Sequence, residues 1–254
     1  MQKSVCFAAL PVLATVPTAW AADPGQPSVP PSSVVMGTDA PLSKWSGDAE
    51  LGVIITTGNT STRNVNAKFK LENERRRWHH TFTADYLRAS DSGNLTAQRG
   101  VAALKSDYNL SEISYVVGTL RYENDQFSGY AYRVSGTAGY GRRLIKTPTI
   151  ALDGEAGAGA RHSKLDDGSR EDDGIVRLAV NFGWKLSPTS EFREDVFTEA
   201  GQNNAHSESH TSLKVKVNGN FAMKLGVLVK HDTVVPAGKV KTDTLTSVTL
   251  VYDF

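Results

Sequence analysis

The sequence predicts an all-β protein, an antiparallel up-and-down transmembrane β-barrel of about twelve strands. Three observations predict it. From Trp45 to Phe254 apolar and polar residues alternate with a period of two. The breaks between alternating segments fall into two kinds that take turns along the chain. Aromatic residues collect at the segment ends, where the two faces of a bilayer would lie.

The clearest segment is Arg63 to Glu72. Val65, Ala67, Phe69 and Leu71 form one face; Asn64, Asn66, Lys68, Lys70 and Glu72 form the other. A helix would not keep this phase. The pattern recurs at Trp78, His80, Phe82, Ala84 and Tyr86, and at Val176, Leu178, Val180, Phe182 and Trp184. It continues through Leu213, Val215 and Val217, then Leu225, Val227 and Val229. It ends on Val248, Leu250, Tyr252 and Phe254. The short breaks are Asn73–Arg76, Leu110–Glu112, Ile145–Pro148, Ser187–Ser190 and Gly219–Ala222. The longer kind is Gly58–Ser61, Ala89–Asn94, Gln126–Gly129, Ser163–Gly174, Gly201–Ser207 and Val234–Lys241. An even strand count with short turns on one rim and longer loops on the other is the outer-membrane pattern.

Trp45, Trp78, Tyr108, Trp184, Phe221, Tyr252 and Phe254 lie beside the short turns; Tyr86, Tyr122, Tyr130 and Tyr132 lie near the longer loops. A soluble sandwich would place such rings at mid-strand. The terminal register Val248, Leu250, Tyr252, Phe254 matches the strand signal read by bacterial barrel-assembly machinery, an expected partner through Phe254. Lipid and lipopolysaccharide are the other expected partners.

Residues 1–21 read as a secretory signal peptide: Lys3, an apolar stretch Val5–Val16 and the A-x-A site Ala19-Trp20-Ala21. Cys6, the single cysteine, lies inside it, so the mature chain would use no disulfide. Residues 22–44 form a linker holding Pro24, Pro27, Pro30, Pro31 and Pro41, half of the 10 prolines. The barrel occupies 45–254, and Pro148, Pro188 and Pro236 are expected in turns.

Composition alone looks soluble, with 39% hydrophobic residues and a mean hydropathy of −0.32. Beyond the leader no apolar run is long enough for a membrane helix, which needs roughly 20 residues. Basic and acidic residues number 28 and 27. No basic block marks a nucleic-acid partner.

If the apolar face meets lipid, the other face lines the lumen. The expected lining is Lys68, Lys70, Asp85, Arg99, Lys105, Arg121, Glu123, Asp125, Arg133, Asp153, Glu155, Arg161, Arg177, Lys185, Lys214 and Lys216. Arg121, Glu123, Asp125, Arg133, Glu155, Arg161 and Arg177 are the candidate binding residues. The mixed signs argue against a simple single-sign filter. The phase stays open around Tyr115 and Phe192, and the register aims Glu194 at lipid.

No catalytic residue, metal site or cofactor is expected. His206 and His210 are not expected to share a face. The acidic run Asp166, Asp167, Asp172 and Asp173 reads as a solvated loop, and its spacing is not that of an EF-hand. Ser207 and Ser209 lie near histidines but lack a G-x-S-x-G context. Gly154, Gly157 and Gly159 read as a lipid-facing or closely packed small-residue strip.

Arg121-Tyr122-Glu123-Asn124-Asp125-Gln126-Phe127-Ser128-Gly129-Tyr130 resembles the central motif of the YdiY-like salt-induced outer membrane protein family. Gly52 to Gly58-Asn59-Thr60 resembles its first strand and loop. Pro236-Ala237-Gly238-Lys239 with Thr242-Asp243-Thr244 resembles its last loop. Asn124 and Gln126 depart from the motif. The resemblance implies an outer-membrane barrel tied to salt response, with no reaction to carry over. A narrow pore or plugged scaffold is the leading expectation. A barrel-embedded lipid-modifying enzyme and a soluble lipocalin-like binder are the alternatives.

Overall fold

The computed structural model describes residues 43–56, 62–126, 128–236 and 238–254. The leader, nearly all of the linker and the loop at 57–61 lie outside the described residues. Twelve strands follow in order: β1 Lys44–Thr56, β2 Thr62–Glu74, β3 Trp78–Asp91, β4 Asn94–Asn109, β5 Ser114–Asp125, β6 Tyr130–Lys146, β7 Ile150–Leu165, β8 Arg170–Ser187, β9 Ser190–Ala200, β10 Ala205–Asn218, β11 Phe221–Asp232 and β12 Thr242–Asp253.

Each strand pairs antiparallel with its sequence neighbour, and β1 closes the ring against β12. The closing seam runs from Asp48↔Asp253 to Leu51↔Leu250, and Gly47 and Phe254 exchange backbone hydrogen bonds at its base. It is much shorter than the β1–β2 pairing, which extends from Lys44↔Glu74 to Thr56↔Thr62.

Alternation decides the two surfaces. Leu51, Val53, Val65, Phe69, Leu104, Leu120, Leu178, Val180, Leu225 and Leu250 point outward and are exposed. In a soluble protein such a patch would be untenable; around a closed barrel it is a lipid-facing belt. Trp45, Trp78, Trp184, Phe221, Tyr252 and Phe254 form an exposed girdle on the short-turn rim. Trp78 packs on Tyr108 with centroids 4.9 Å apart, and Phe221 on Tyr252 at 5.2 Å. The barrel, its belt and its girdle are those of an outer-membrane protein.

Three expectations change. The longer loops are shorter than read, because ladder pairing continues through their polar residues, although as a set they still exceed the turns. Asp91 still pairs with Asn94, leaving only Ser92-Gly93, both at positive φ, as the link. Tyr130 is not part of the outer girdle. A register shift between Tyr130 and Tyr132 turns it inward, where the Arg133 guanidinium lies 4.5 Å from its ring centroid. Gly157 and Gly159 face the interior, so of the two readings of the small-residue strip the closely packed one holds and the lipid-facing one does not. A Cβ on Gly159 would lie 1.9 Å from the Gly136 carbonyl oxygen, so strands β6 and β7 approach too closely for any side chain there.

Candidate functional site: a charged interior

The strand phase that exposes the apolar belt sends the charged residues inward. Arg121, Glu123, Asp125, Arg133, Glu155, Arg161 and Arg177 all point into the bore. Arg99, Glu123, Asp125, Arg133, Glu155 and Arg161 are buried there. Tyr115 also points inward, and Phe192 outward. The structure brings most of these residues into one network with partners that the sequence reading did not include.

The centre of the network is Glu208, whose side chain is wholly buried. Arg99 Nη2 donates to its Oε1 at 2.6 Å, and Arg121 Nη2 donates to the same oxygen at 2.7 Å. Strands β4 and β10 stand six places apart in a ring of twelve, so the Arg99–Glu208 bond joins opposite walls. A second such bond runs from Lys230 Nζ on β11 to Asp125 Oδ2 on β5, at 2.6 Å. Arg133 on β6 reaches Asp232 on β11 at 2.7 Å. Glu123 accepts from Arg99 at 2.8 Å and from Arg121 at 3.1 Å. All these bonds lie toward the rim opposite the aromatic girdle, near the ends of β5 and β11.

The link at 201–204 tightens this closure. Arg161 Nη2 donates to the Asn204 carbonyl at 2.7 Å and to Asp173 at 3.0 Å. Asn203 donates to Asp173 at 2.7 Å, and Asn204 to Asp232 at 2.8 Å. Arg177 bonds Glu199 at 2.9 Å while its guanidinium covers the Phe197 ring at 4.1 Å. The gap left among Arg121, Glu123, Arg133, Arg161, Glu199 and His206 is about 10 Å³. No organic solute fits such a space.

Toward the short-turn rim the interior is looser. Lys68, Lys70, Glu72 and Lys214 keep 26–30% of their side-chain surface exposed, against 0–5% for Glu208, Glu123, Arg133 and Lys230. Lys214 pairs with Asp253, and Lys105 with Glu155, which also accepts from Tyr115 at 2.7 Å. The bore is therefore a half-open vestibule capped by a transverse ion network.

The histidine expectation is corrected by strand geometry. Positions i, i+2 and i+4 of a strand share a face, so His206, Glu208 and His210 all point inward. His206 Nε2 lies 3.2 Å from Glu208 Oε1, and its Nδ1 3.0 Å from Asp232. Glu123, His206 and Glu208 bring ligand-type atoms within 4.8 Å of one another. Four cationic side chains, Arg99, Arg121, Arg133 and Lys230, already surround these carboxylates, a setting opposed to a metal cation. The same alternation separates Ser207 and Ser209, which face outward, from His206 and His210. No Ser–His pair forms there.

The acidic run is also divided. Asp167 accepts from Ser169 Oγ at 2.6 Å and from its backbone N–H at 2.8 Å, which holds its carboxyl below the usual carboxylate range. Asp172 bonds His162 at 2.6 Å on the exterior. Asp173 is buried inside the bore, not solvated.

Sequence reasoning missed Glu208, His206, Lys230, Asp232 and Glu199. The signal was available: Leu213 and Val215 facing lipid place Glu208 inside by parity. Ending the preceding loop at Ser207 took His206 out of the strand, whereas Glu208 lay within reach of that parity.

A family model described as a protein of unknown function, DUF481, matches residues 49–254. The chain belongs to this family. The uncharacterized protein YdiY of Escherichia coli (strain K12) is 25% identical over 225 residues, covering 86% of this chain and 87% of its own. Among solved structures, the NanC porin aligns with a TM-score of 0.53 at 10% identity, covering 81% of this chain and 98% of the porin. The COG4313 outer membrane channel from Pseudomonas putida F1 aligns with a TM-score of 0.51 at 12% identity, over 85% and 97%. At these identities the likeness is one of fold.

Proposed function

We propose that the protein is a non-enzymatic outer-membrane channel held shut by its own interior. The carrying observation is the Arg99–Glu208 bond between opposite walls of the barrel. Fixed cation–carboxylate pairs across a bore occupy the space that a permeant solute would need. The vestibule below them admits water and ions from the short-turn side. A role in the envelope under salt or osmotic stress belongs to the same proposal; the family resemblance supplies it, and growth of a deletion strain in high salt tests it.

Planar-bilayer recording tests the closure. The wild-type barrel is expected to be silent or to open only briefly. The double variant Arg99→Ala, Glu208→Ala is expected to show stable conductance steps. Steady conduction by the wild type, equal to that of the variant, would refute the closure. Silence from both would favour a plugged scaffold.

A further inference from the structure

Arg75, Arg76 and Arg77 follow one another in the short turn between β2 and β3. Two of them are tied to the outer wall of the barrel, not to the bore. Arg75 Nε donates to Asn73 Oδ1 at 3.0 Å, and Asn73 lies on the outward phase of β2 with Val65 and Phe69. Arg77 Nη1 donates to the Tyr108 hydroxyl at 3.2 Å, and the Tyr108 ring packs on the exposed Trp78 of the girdle. Arg76 stands exposed between them. Among the described residues, none of the three forms an ion pair with a carboxylate. The buried arginines of the bore, by contrast, meet Glu123, Glu208 and Asp232. Like charges crowded into one turn repel unless something outside the chain neutralises them. Each anchoring bond uses one N–H of its guanidinium, so most of each planar fork stays open to an anion.

The depth of the turn says what that anion belongs to. Trp78 follows the turn directly and marks the interface, so the three guanidiniums sit at the headgroup layer. One outward step deeper, His80 stacks on Trp78, and its Nδ1 lies 2.9 Å from the Ser106 hydroxyl. The next outward pair is Phe82 and Leu104, both exposed. Each step is roughly 7 Å along the strand. Cations, then polar rings and a hydroxyl, then apolar side chains follow the order of phosphate, glycerol ester and acyl chain in a phospholipid.

We infer that the Arg75–Arg77 turn binds the headgroup of an anionic phospholipid, one that carries phosphate and no ammonium. Short turns of such barrels face the periplasm, which places the site in the periplasmic leaflet. An ethanolamine headgroup would add its own ammonium to the three guanidiniums. A free anion would leave the polar and apolar steps beneath the turn without a counterpart. A protein partner would have to displace lipid from Trp78 and Tyr108.

Exchange of lipid beside Trp78 tests this. With Trp20, Trp45 and Trp184 replaced by Phe, Trp78 is the sole tryptophan. The chain is refolded into vesicles of brominated phosphatidylcholine, which quench it. Unbrominated phosphatidylglycerol or phosphatidylcholine is mixed in at matched fractions, and the recovery of fluorescence reads which lipid occupies the site. Phosphatidylglycerol is expected to be preferred by about five-fold or more. Arg75→Gln, Arg76→Gln and Arg77→Gln together should abolish the preference, with heat-modifiable migration confirming the fold. If that variant does not fold, Arg76→Gln alone should lower the preference severalfold. Arg142→Gln with Lys146→Gln, near another short turn of the same rim, should leave it unchanged. Equal recovery by the two lipids, or a preference that survives in the arginine variants, would overturn the inference. So would equal loss in the Arg142 and Lys146 variant, which would assign the effect to diffuse rim charge. Inorganic phosphate in the buffer should not suppress the preference; suppression would assign the turn to the free ion instead.

Discussion

Glu208 shows how a single side chain organises the interior. Arg99 and Arg121 share one of its oxygens. Removing it alone leaves two guanidiniums inside the barrel without their main partner, at a cost of about 3–5 kcal/mol. Glu208→Ala is therefore expected to lower unfolding stability in urea, read by tryptophan fluorescence in detergent micelles. Replacing the pair together, Arg99→Met with Glu208→Met, is expected to recover part of that loss, because the charge balance of the interior is restored and Arg121 keeps its bond to Glu123. Gly159 makes a different demand. Its missing Cβ allows β7 to lie against the Gly136 carbonyl. Gly159→Ala is expected to cost about 1–3 kcal/mol through overpacking, measured in the same unfolding assay. Gly174→Ala, with open space at its Cβ position, should be nearly neutral.

At the scale of elements, the closing seam is the weak place. β12 pairs with β11 from Phe221↔Tyr252 to His231↔Thr242, but with β1 only over Leu250–Asp253. Backbone amides of Thr242–Thr249 that face β1 thus lack a ladder partner among the described residues. Hydrogen exchange is expected to be faster in this half of β12 than in the paired centre of β7, which has full neighbours on both sides. Equal protection would show that the seam is continuous. Element existence was legible from alternation alone, and all twelve strands were. Element ends were not. Polar residues such as Asp91, Asn94, Arg170 and Asp172 read as loop from their composition. A ladder accepts them at a rim because their side chains remain in water while their backbone groups stay paired.

For the whole molecule, the exposed girdle predicts depth. Trp45, Trp78 and Trp184 lie on one rim, outward and half-exposed. In vesicles with brominated lipids, quenching should be strongest for bromine near the headgroups and weaker for bromine near the chain ends. The folded barrel should migrate faster on gels than the boiled chain and fractionate with outer membranes. Recovery as a soluble periplasmic protein would refute the membrane assignment.

The strands, the lipid-facing phase and the inward direction of Arg121, Glu123, Arg133 and Arg161 are legible in the order of residues alone. These follow from a period of two, which is a local property of the chain. Residue order could not determine whether the mixed charges line an open pore or close it, since that depends on which strands face each other across the ring. Barrel closure places β4 opposite β10 and β5 opposite β11, so that Arg99 meets Glu208 and Asp125 meets Lys230, and the proposed shut state rests on these contacts. Partners separated by 109 and 105 residues carry no local signal in the sequence, and only closure of the barrel brings them within hydrogen-bond reach.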